Sequence, residues 1–358
     1  MTIQMSEFLG DREQQILVAV VCEYISTADP VGSRTIARKY GFGISPATIR
    51  NIMADLEEMG FLAQPHTSAG RIPTDKGLRF YVNHLDSARR SVEEGNFVNI
   101  EEALQAEPEF GTFMQKVTAL LSALSHQAGM VLTPNLKNLV CRHIDFVKLS
   151  NFQVLVIFIS DTGIVQKRVI RFDEDIAQDT LDKVSRLVTE ELMGLSVASI
   201  RTKLVRMLET EKTQFDQLFA RAVKLSQEFF AKELDDSEPS ELYVGGTLNM
   251  LNQPEFADLE KMKLLFRTFE EKRLLIRILD KCIEEEDQER VKVIIGDENI
   301  AADVKDLSFV ISSYKYGDRA LGVVGIVGPK RMDYTQIIPI VDHTAKALSR
   351  LLIDRMEM

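Results

Sequence analysis

One segment carries most of the local structural signals of this chain: residues 43–77, GISPATIRNIMADLEEMGFLAQPHTSAGRIPTDKG. Ser45 followed by Pro46 is typical of a helix start, because a serine side chain caps free backbone N–H groups and proline at the first helical position loses no hydrogen bond. Gly60 is typical of the residue just past a helix end. The segment therefore predicts a helix between Ser45 and Gly60.

A β-hairpin is predicted directly after this helix. Residues 61–63 form a short apolar strand, a polar turn follows from His66 to Gly70, and the chain returns as a strand around Arg71 and Ile72. Thr74 then caps a further helix.

Two helices are predicted before residue 43. The first begins at Asp11, with apolar residues at helical spacing, and ends at residues 28–30; the second is GSRTIARKYG, capped by Ser33 and stopped by Gly41. The gap of four residues, 41–44, before the next helix is typical of a helix-turn-helix. Three helices and a hairpin predict a winged helix within residues 1–87.

The central helix has an exposed face suited to a DNA groove. At 100° per residue its apolar residues share one face: Ile49, Ile52, Met53 and Leu56. On the other side, Arg50 can pair with guanine, Asn51 with adenine or a phosphate, and Thr48 with a phosphate or a base edge. An ordinary solvated face would also carry such residues, so the surrounding features decide between the two interpretations.

The hairpin turn and the preceding helix offer phosphate contacts. Thr67 and Ser68 are hydroxyl donors, and Arg71 and His66 flank them, as expected of a wing on phosphate or in the minor groove. Arg34 lies at the start of its helix, where a cation and a helix N-terminus both favour phosphate.

Charge and composition support nucleic-acid binding by this segment. The chain has 358 residues, enough for two or three domains, and a net charge of −11, whereas residues 30–90 hold nine basic and five acidic residues. The sequence shows no apolar run long enough for a bilayer and no secretory leader, which predicts a soluble cytoplasmic protein without membrane contact. The three cysteines lie far apart, so no disulfide, metal site or cofactor is expected.

The remaining chain predicts an α+β domain with an insertion. Helices are expected near 100–106 and 112–127, followed by strands in 129–134, 154–160 and 164–172. A mostly helical block is then expected from 178 to about 284, broken by ELYVGGTLNML (241–251). Strands are expected again in 290–296, 307–316 and 321–329, and a closing helix runs to 358. The glycines of GVVGIVGP lack Rossmann or P-loop spacing and fit a buried strand ending in a turn. No catalytic motif is present, so no enzyme activity is expected.

The N-terminal residues resemble a known family. Residues 11–85, and above all SPATIRNIMADLEEMG (45–60) and PHTSAGRIPTDKGLRFYV (65–82), are similar to the N-terminal region of the heat-inducible transcription repressor HrcA family of bacteria. The resemblance covers essentially the whole chain, more loosely in the second half.

The resemblance implies a multidomain α+β protein: a winged helix (1–87), a discontinuous GAF-like domain (100–175 and 285–358) and an inserted, mainly helical dimerising domain (176–284). Such repressors act as homodimers on an inverted-repeat operator, the CIRCE element, upstream of chaperone operons, and the GroE chaperonin promotes their active state. The family pattern carries over as recognition-helix residues Ser45, Thr48, Arg50 and Asn51, and as wing residues His66, Thr67, Ser68 and Arg71.

Two alternatives remain at this point. Residues 100–358 could form a ligand-sensing GAF-like regulator or an enzyme, with the N-terminal domain regulating it. A winged helix can also bind RNA.

Overall fold

The computed structural model describes residues 9–66, 69–88, 100, 110–134, 139–172, 175–210, 226, 240–284, 291–299, 301–317 and 319–357. The helices expected near 100–106 fall outside these ranges, apart from residue 100.

The N-terminal residues 9–88, here called the head, have the predicted element order. It is α1 (Asp11–Thr27), α2 (Ser33–Tyr40), α3 (Pro46–Glu58), β1 (Leu62–Ala63), β2 (Ile72–Pro73) and α4 (Asp75–Ala88). The two strands are antiparallel, with Leu62 opposite Pro73. Thr74 caps α4, since its Oγ1 accepts from the Gly77 amide at 3.2 Å. The predicted cap of α2 is wrong by one residue: Gly32 is the N-cap, and Ser33 is the first helical residue and is buried.

Beyond the head, the elements follow as α5 (Phe110–Ser125), β3 (Ala128–Leu132), β4 (Cys141–Ser150), β5 (Gln153–Ser160), β6 (Val165–Arg171), α6 (Gln178–Leu192), α7 (Val197–Thr210), β7 (Leu242–Gly245), α8 (Thr247–Leu251), α9 (Leu259–Glu270), α10 (Arg273–Glu284), β8 (Lys292–Ile295), β9 (Leu307–Tyr316), β10 (Arg319–Pro329) and α11 (Tyr334–Glu357). Short 3₁₀ turns lie at Pro254–Phe256, Gly296–Glu298 and Ala302–Val304. The fold is thus mixed α+β with antiparallel sheets.

A five-stranded antiparallel sheet, in the order β7-β3-β10-β9-β8, forms the centre of the molecule. Its alternating side chains pack on two faces. Val131 and Val324 share a core with α5, α11 and the head, whereas Met130 and Val323 share another with α9 and α10. This sheet and its helices α5 and α8–α11 are called the body. The run 321–329 is the buried strand that its glycines predict.

A second sheet, the antiparallel meander β4-β5-β6, forms a separate unit with α6 and α7. Val154, Val156 and Phe158 of β5 share one buried cluster with Leu181 and Val184 of α6. Residues 139–210 are called the meander unit. The boundary expected between residues 175 and 176 divides strands and helices that share this core, because the helices after 176 cover the face of the preceding strands.

Strand β4 was not predicted from the sequence, and residues 241–251 have more structure than predicted. In β4, the charged residues Arg142, Asp145 and Lys148 interrupt the apolar alternation, although Ile144 and Phe146 are buried. The run 241–251, which the sequence marks only as an interruption of the helical block, contains strand β7 followed by helix α8.

Across the described ranges, no helix is long and apolar enough to cross a membrane. The same residues bring together no group of three or more His, Cys, Asp or Glu side chains that could hold a metal ion.

Candidate nucleic-acid interface

The start of α3 is fixed by a side-chain cap. Ser45 has an extended backbone, and its Oγ accepts a hydrogen bond from the Thr48 amide at 3.1 Å, while Pro46 occupies the first helical position. The Ser45 and Thr48 hydroxyls also lie 2.9 Å apart. Both predicted recognition residues therefore help to define the first turn, and both remain exposed.

The two faces of α3 are divided as the helical spacing predicts. Ile49 and Leu56 are fully buried in the head core. Arg50 and Asn51 are exposed, as is Arg34 in the first turn of α2, which packs against α3. This arrangement leaves the polar face of α3 open to a groove.

Exposed arginines without an ion pair mark the surface around α2 and α3. In the part of the chain that the structure describes, Arg34, Arg38 and Arg50 have no salt bridge, whereas Lys39 pairs with Glu23 at 2.6 Å. Arg38 lies one turn after Arg34 and is a further candidate for phosphate contact; helical spacing from Arg34 could have identified it.

Behind α2, the buried carboxylate of Glu23 in α1 accepts hydrogen bonds from two side chains of α2. Glu23 is nearly buried and accepts from Lys39 and, at 3.5 Å, from the Tyr40 hydroxyl. Burial raises the pKa of Tyr40 to about 12, with negative charge at Cys22 and Glu23 adding to the shift. The phenol therefore stays protonated at neutral pH and donates to Glu23.

The hairpin turn is closed by local hydrogen bonds. The Ala69 amide donates to the His66 carbonyl oxygen at 2.9 Å, and the Gln64 side-chain amide donates to the Ala69 carbonyl at 3.1 Å. His66 is exposed. Thr67 and Ser68, the predicted phosphate donors of the turn, lie outside the described residues.

Arg71 has a different environment from the one its sequence position suggests. Its guanidinium pairs with Glu57 Oε2 of α3 at 2.7 Å, and its side chain is only 19% exposed. Its backbone N–H and C=O both pair with Val31, at 2.9 and 2.8 Å. In this structure Arg71 fastens the hairpin to α3 and to the α1–α2 loop.

The end of α3 is held by Lys76, which sequence analysis did not single out. Its ammonium donates to the Met59 carbonyl at 2.8 Å and lies 4.1 Å from the centre of the Phe61 ring. A cation at a helix C-terminus is stabilising because the last carbonyls carry negative partial charge. Lys76 therefore orients α3 rather than presenting a free charge.

Comparisons with known proteins identify the class of this chain. A family model described as HrcA protein C terminal domain matches residues 111–338. The heat-inducible transcription repressor HrcA of Syntrophobacter fumaroxidans is 42% identical over 345 residues, 96% of this chain and 97% of that protein. The protein of the same name from Geobacter sulfurreducens is 42% identical over 344 residues, 96% of this chain and 98% of that protein.

A solved structure has the same fold. The crystal structure of a hypothetical protein aligns with a TM-score of 0.65 and 23% identity, over 97% of this chain and 99% of that one. The curated relatives are transcription repressors, a class of non-enzymatic regulators. The chain belongs to the family of the heat-inducible transcription repressor HrcA.

Proposed function

We propose that this protein represses heat-shock chaperone operons by binding, as a homodimer, an inverted-repeat operator of the CIRCE type. The observation that carries the DNA-binding part is the exposed polar face at the start of the capped helix α3, with Arg50 and Asn51 at its centre. Family membership over nearly the whole chain supports the repressor role. The protein acts in the cytoplasm, where the bacterial chromosome lies.

In this proposal the head is a winged helix. Helix α3 enters the major groove, the turn at residues 66–70 is the wing, and Arg34 contacts the phosphate backbone at the start of α2. The contact residues are those predicted from the sequence: Arg34, Ser45, Thr48, Arg50, Asn51, His66, Thr67, Ser68 and Arg71. The body corresponds to the GAF-like domain.

The DNA assay compares the inverted repeat upstream of the chaperonin operon with scrambled DNA of equal length and composition. We expect the repeat to bind at least about a thousandfold more tightly, as specific sites do. The logarithm of the affinity should fall linearly with the logarithm of salt concentration, because phosphate contacts release counterions. Equal affinity for the two DNAs would contradict the repressor assignment.

The proposed modulator is the GroE chaperonin, a role that rests on the family alone. Repressor diluted from denaturant should recover more operator-binding protein when chaperonin and ATP are present than when they are absent. Identical recovery would refute the chaperonin role without affecting DNA recognition.

The dimer contact is proposed on the outer face of the meander unit. Val165 and Val169 of β6 are 54% and 51% exposed, and Leu149 is 52% exposed at the end of β4. Leu155 lies between Val147 and Val169 in the register, on the side opposite the helices. An apolar face of this kind fits a second copy of the chain, since a two-fold operator requires a two-fold dimer. The packing thus favours residues 139–210, rather than 176–284, as the dimerising insertion.

A charge on this face should separate the dimer. We expect Val169→Asp to sediment as a monomer at concentrations where the wild type is a dimer, because a buried unpaired carboxylate is strongly unfavourable. Lys183→Asp, on the exposed side of α6, is the control and should remain dimeric. A Val169→Asp variant that stays dimeric would show that the interface lies elsewhere.

A further inference from the structure

We propose that a three-point polar clamp between head and body sets the distance between the two recognition helices of the dimer, and thereby selects the spacing of the operator half-sites. The clamp consists of Asp75, Arg79 and the Ile25 carbonyl on the head, and of residues 293–298, Lys330 and Arg331 on the body. This inference rests on the proposed function, and its test is separable from that of operator binding.

The first point is Arg79 of α4. Its Nε donates to Glu298 Oε1 at 2.7 Å, a terminal nitrogen contacts Glu298 Oε2, and the same nitrogen donates to the Val293 carbonyl at 2.6 Å. Glu298 is itself held in place, because its Oε2 accepts from the Ile295 amide at 2.8 Å. A two-pronged arginine–carboxylate pair fixes orientation as well as distance.

The second point is Asp75, the first residue of α4. One carboxylate oxygen pairs with Lys330 Nζ at 2.7 Å, and the other accepts from the Asp297 amide at 2.9 Å. Gly296 has φ +51°, and a Cβ there would lie 2.0 Å from Asp75 Oδ2. The carboxylate thus occupies space that exists only because residue 296 has no side chain.

The third point is Arg331, adjacent to Lys330 in the turn after β10. Its guanidinium donates to the Ile25 carbonyl in the last turn of α1 at 3.3 Å and to Gln253 Oε1 at 2.9 Å, and it pairs with Glu255. Two consecutive body residues therefore hold two different head helices, Lys330 at the start of α4 and Arg331 near the end of α1.

The body side of the clamp is anchored by a buried tyrosine. Tyr334 is fully buried, and its hydroxyl donates to the Lys330 carbonyl at 2.7 Å and lies 3.0 Å from Ser308 Oγ of β9. The turn that carries Lys330 and Arg331 is thereby anchored to the five-stranded sheet. On the head side, α1 and α4 pack in one core with Ile49 and Leu56 of α3.

These contacts fix the orientation of the head relative to the body and contribute little to the attraction between the two. The apolar core that continues from head to body resists separation, but apolar contact defines angles poorly, whereas charged hydrogen bonds are directional. The Arg79, Glu298 and Lys330 side chains are 22%, 38% and 34% exposed. Partly exposed ion pairs contribute little to stability, so removing them should reorient α3 without unfolding the head.

The test uses full-length Arg79→Glu and Lys330→Glu, each of which sets like charges against each other in the clamp. Lys261→Glu is the matched control, because Lys261 pairs at 3.1 Å with Asp306 entirely within the body. Adding Glu298→Arg to Arg79→Glu restores opposite charges. The DNAs compared are the inverted repeat, the same repeat with up to about 3 base pairs added to or removed from the segment between its half-sites, and a single half-site. A change of about 3 base pairs rotates one half-site relative to the other by roughly 100°.

We expect the wild type and Lys261→Glu to prefer the native spacing by at least about tenfold, since half-site spacing is a geometric property of the dimer. Both clamp variants should lose this preference yet bind the single half-site with unchanged affinity, and Glu298→Arg should restore the preference to Arg79→Glu. Full spacing preference in the variants overturns the inference, as does an equal loss on the half-site, which indicates a damaged head. A wild type that does not distinguish the repeat from scrambled DNA refutes the proposed function instead.

Discussion

Alanine at both Arg50 and Asn51 is expected to abolish sequence-specific operator binding while the fold is unchanged. Each bidentate contact to a base edge contributes about 1–3 kcal/mol of discrimination, so two contacts in each of two protomers amount to at least about 4 kcal/mol, or roughly a thousandfold. Both side chains are exposed, and Arg50 has no salt bridge in the part of the chain that the structure describes, so their removal should cost little stability.

The measurement is fluorescence anisotropy with operator and scrambled DNA, together with circular dichroism of the folded protein. Glu58→Ala is the matched control, since Glu58 is exposed in the last turn of the same helix, away from its capped end. The double variant should bind both DNAs with the weak affinity of the scrambled sequence. If it keeps its selectivity, α3 is not the recognition helix.

Gly70→Ala is expected to detach the hairpin from the rest of the head. A Cβ at residue 70 would lie 2.3 Å from the Val31 carbonyl oxygen and 2.8 Å from its nitrogen. These are backbone atoms held by the paired hydrogen bonds between Val31 and Arg71, so they cannot move aside. We expect a loss of about 3 kcal/mol, the upper end of ordinary overpacking, which is a large share of a typical domain's stability.

Hydrogen exchange at the Val31 and Arg71 amides reports this change directly, and operator affinity should fall with it. Gly32→Ala is the control from the same loop: φ at Gly32 is −94°, and an added Cβ would have no neighbour within 4 Å. Equal protection of the two amides in both variants would show that the close approach at residue 70 is not structurally important.

Local signals explain why α3 could be predicted from the sequence. Ser45, Pro46 and Gly60 each act within a few residues of themselves, so the capped helix and the hairpin after it are found where the sequence expects them. The cap of α2 was predicted one residue too late because Gly32 and Ser33 are both acceptable at an N-cap.

Distant partners explain what the sequence could not predict. Arg71 looks like a free wing cation until the hairpin folds back and places it against Glu57. The core of the meander unit could not be predicted, because no local pattern shows that α6 folds back over β5. The clamp was the least predictable feature, because Arg79 and Lys330 each pair with a residue more than 200 positions away in the sequence.

Because its partners lie so far apart in the sequence, the clamp can form only late in translation. Its partners are 219 residues apart for Arg79 and Glu298, 255 for Asp75 and Lys330, and 306 for Ile25 and Arg331. Chains emerge from the ribosome N-terminus first, and domains generally fold in that order. The elements of the head are therefore synthesised long before the body residues of the clamp, and the proposed clamp cannot hold the recognition helix until residue 331 has been made. On this proposal, a molecule can select the spacing of its operator half-sites only after Lys330 and Arg331 have been made.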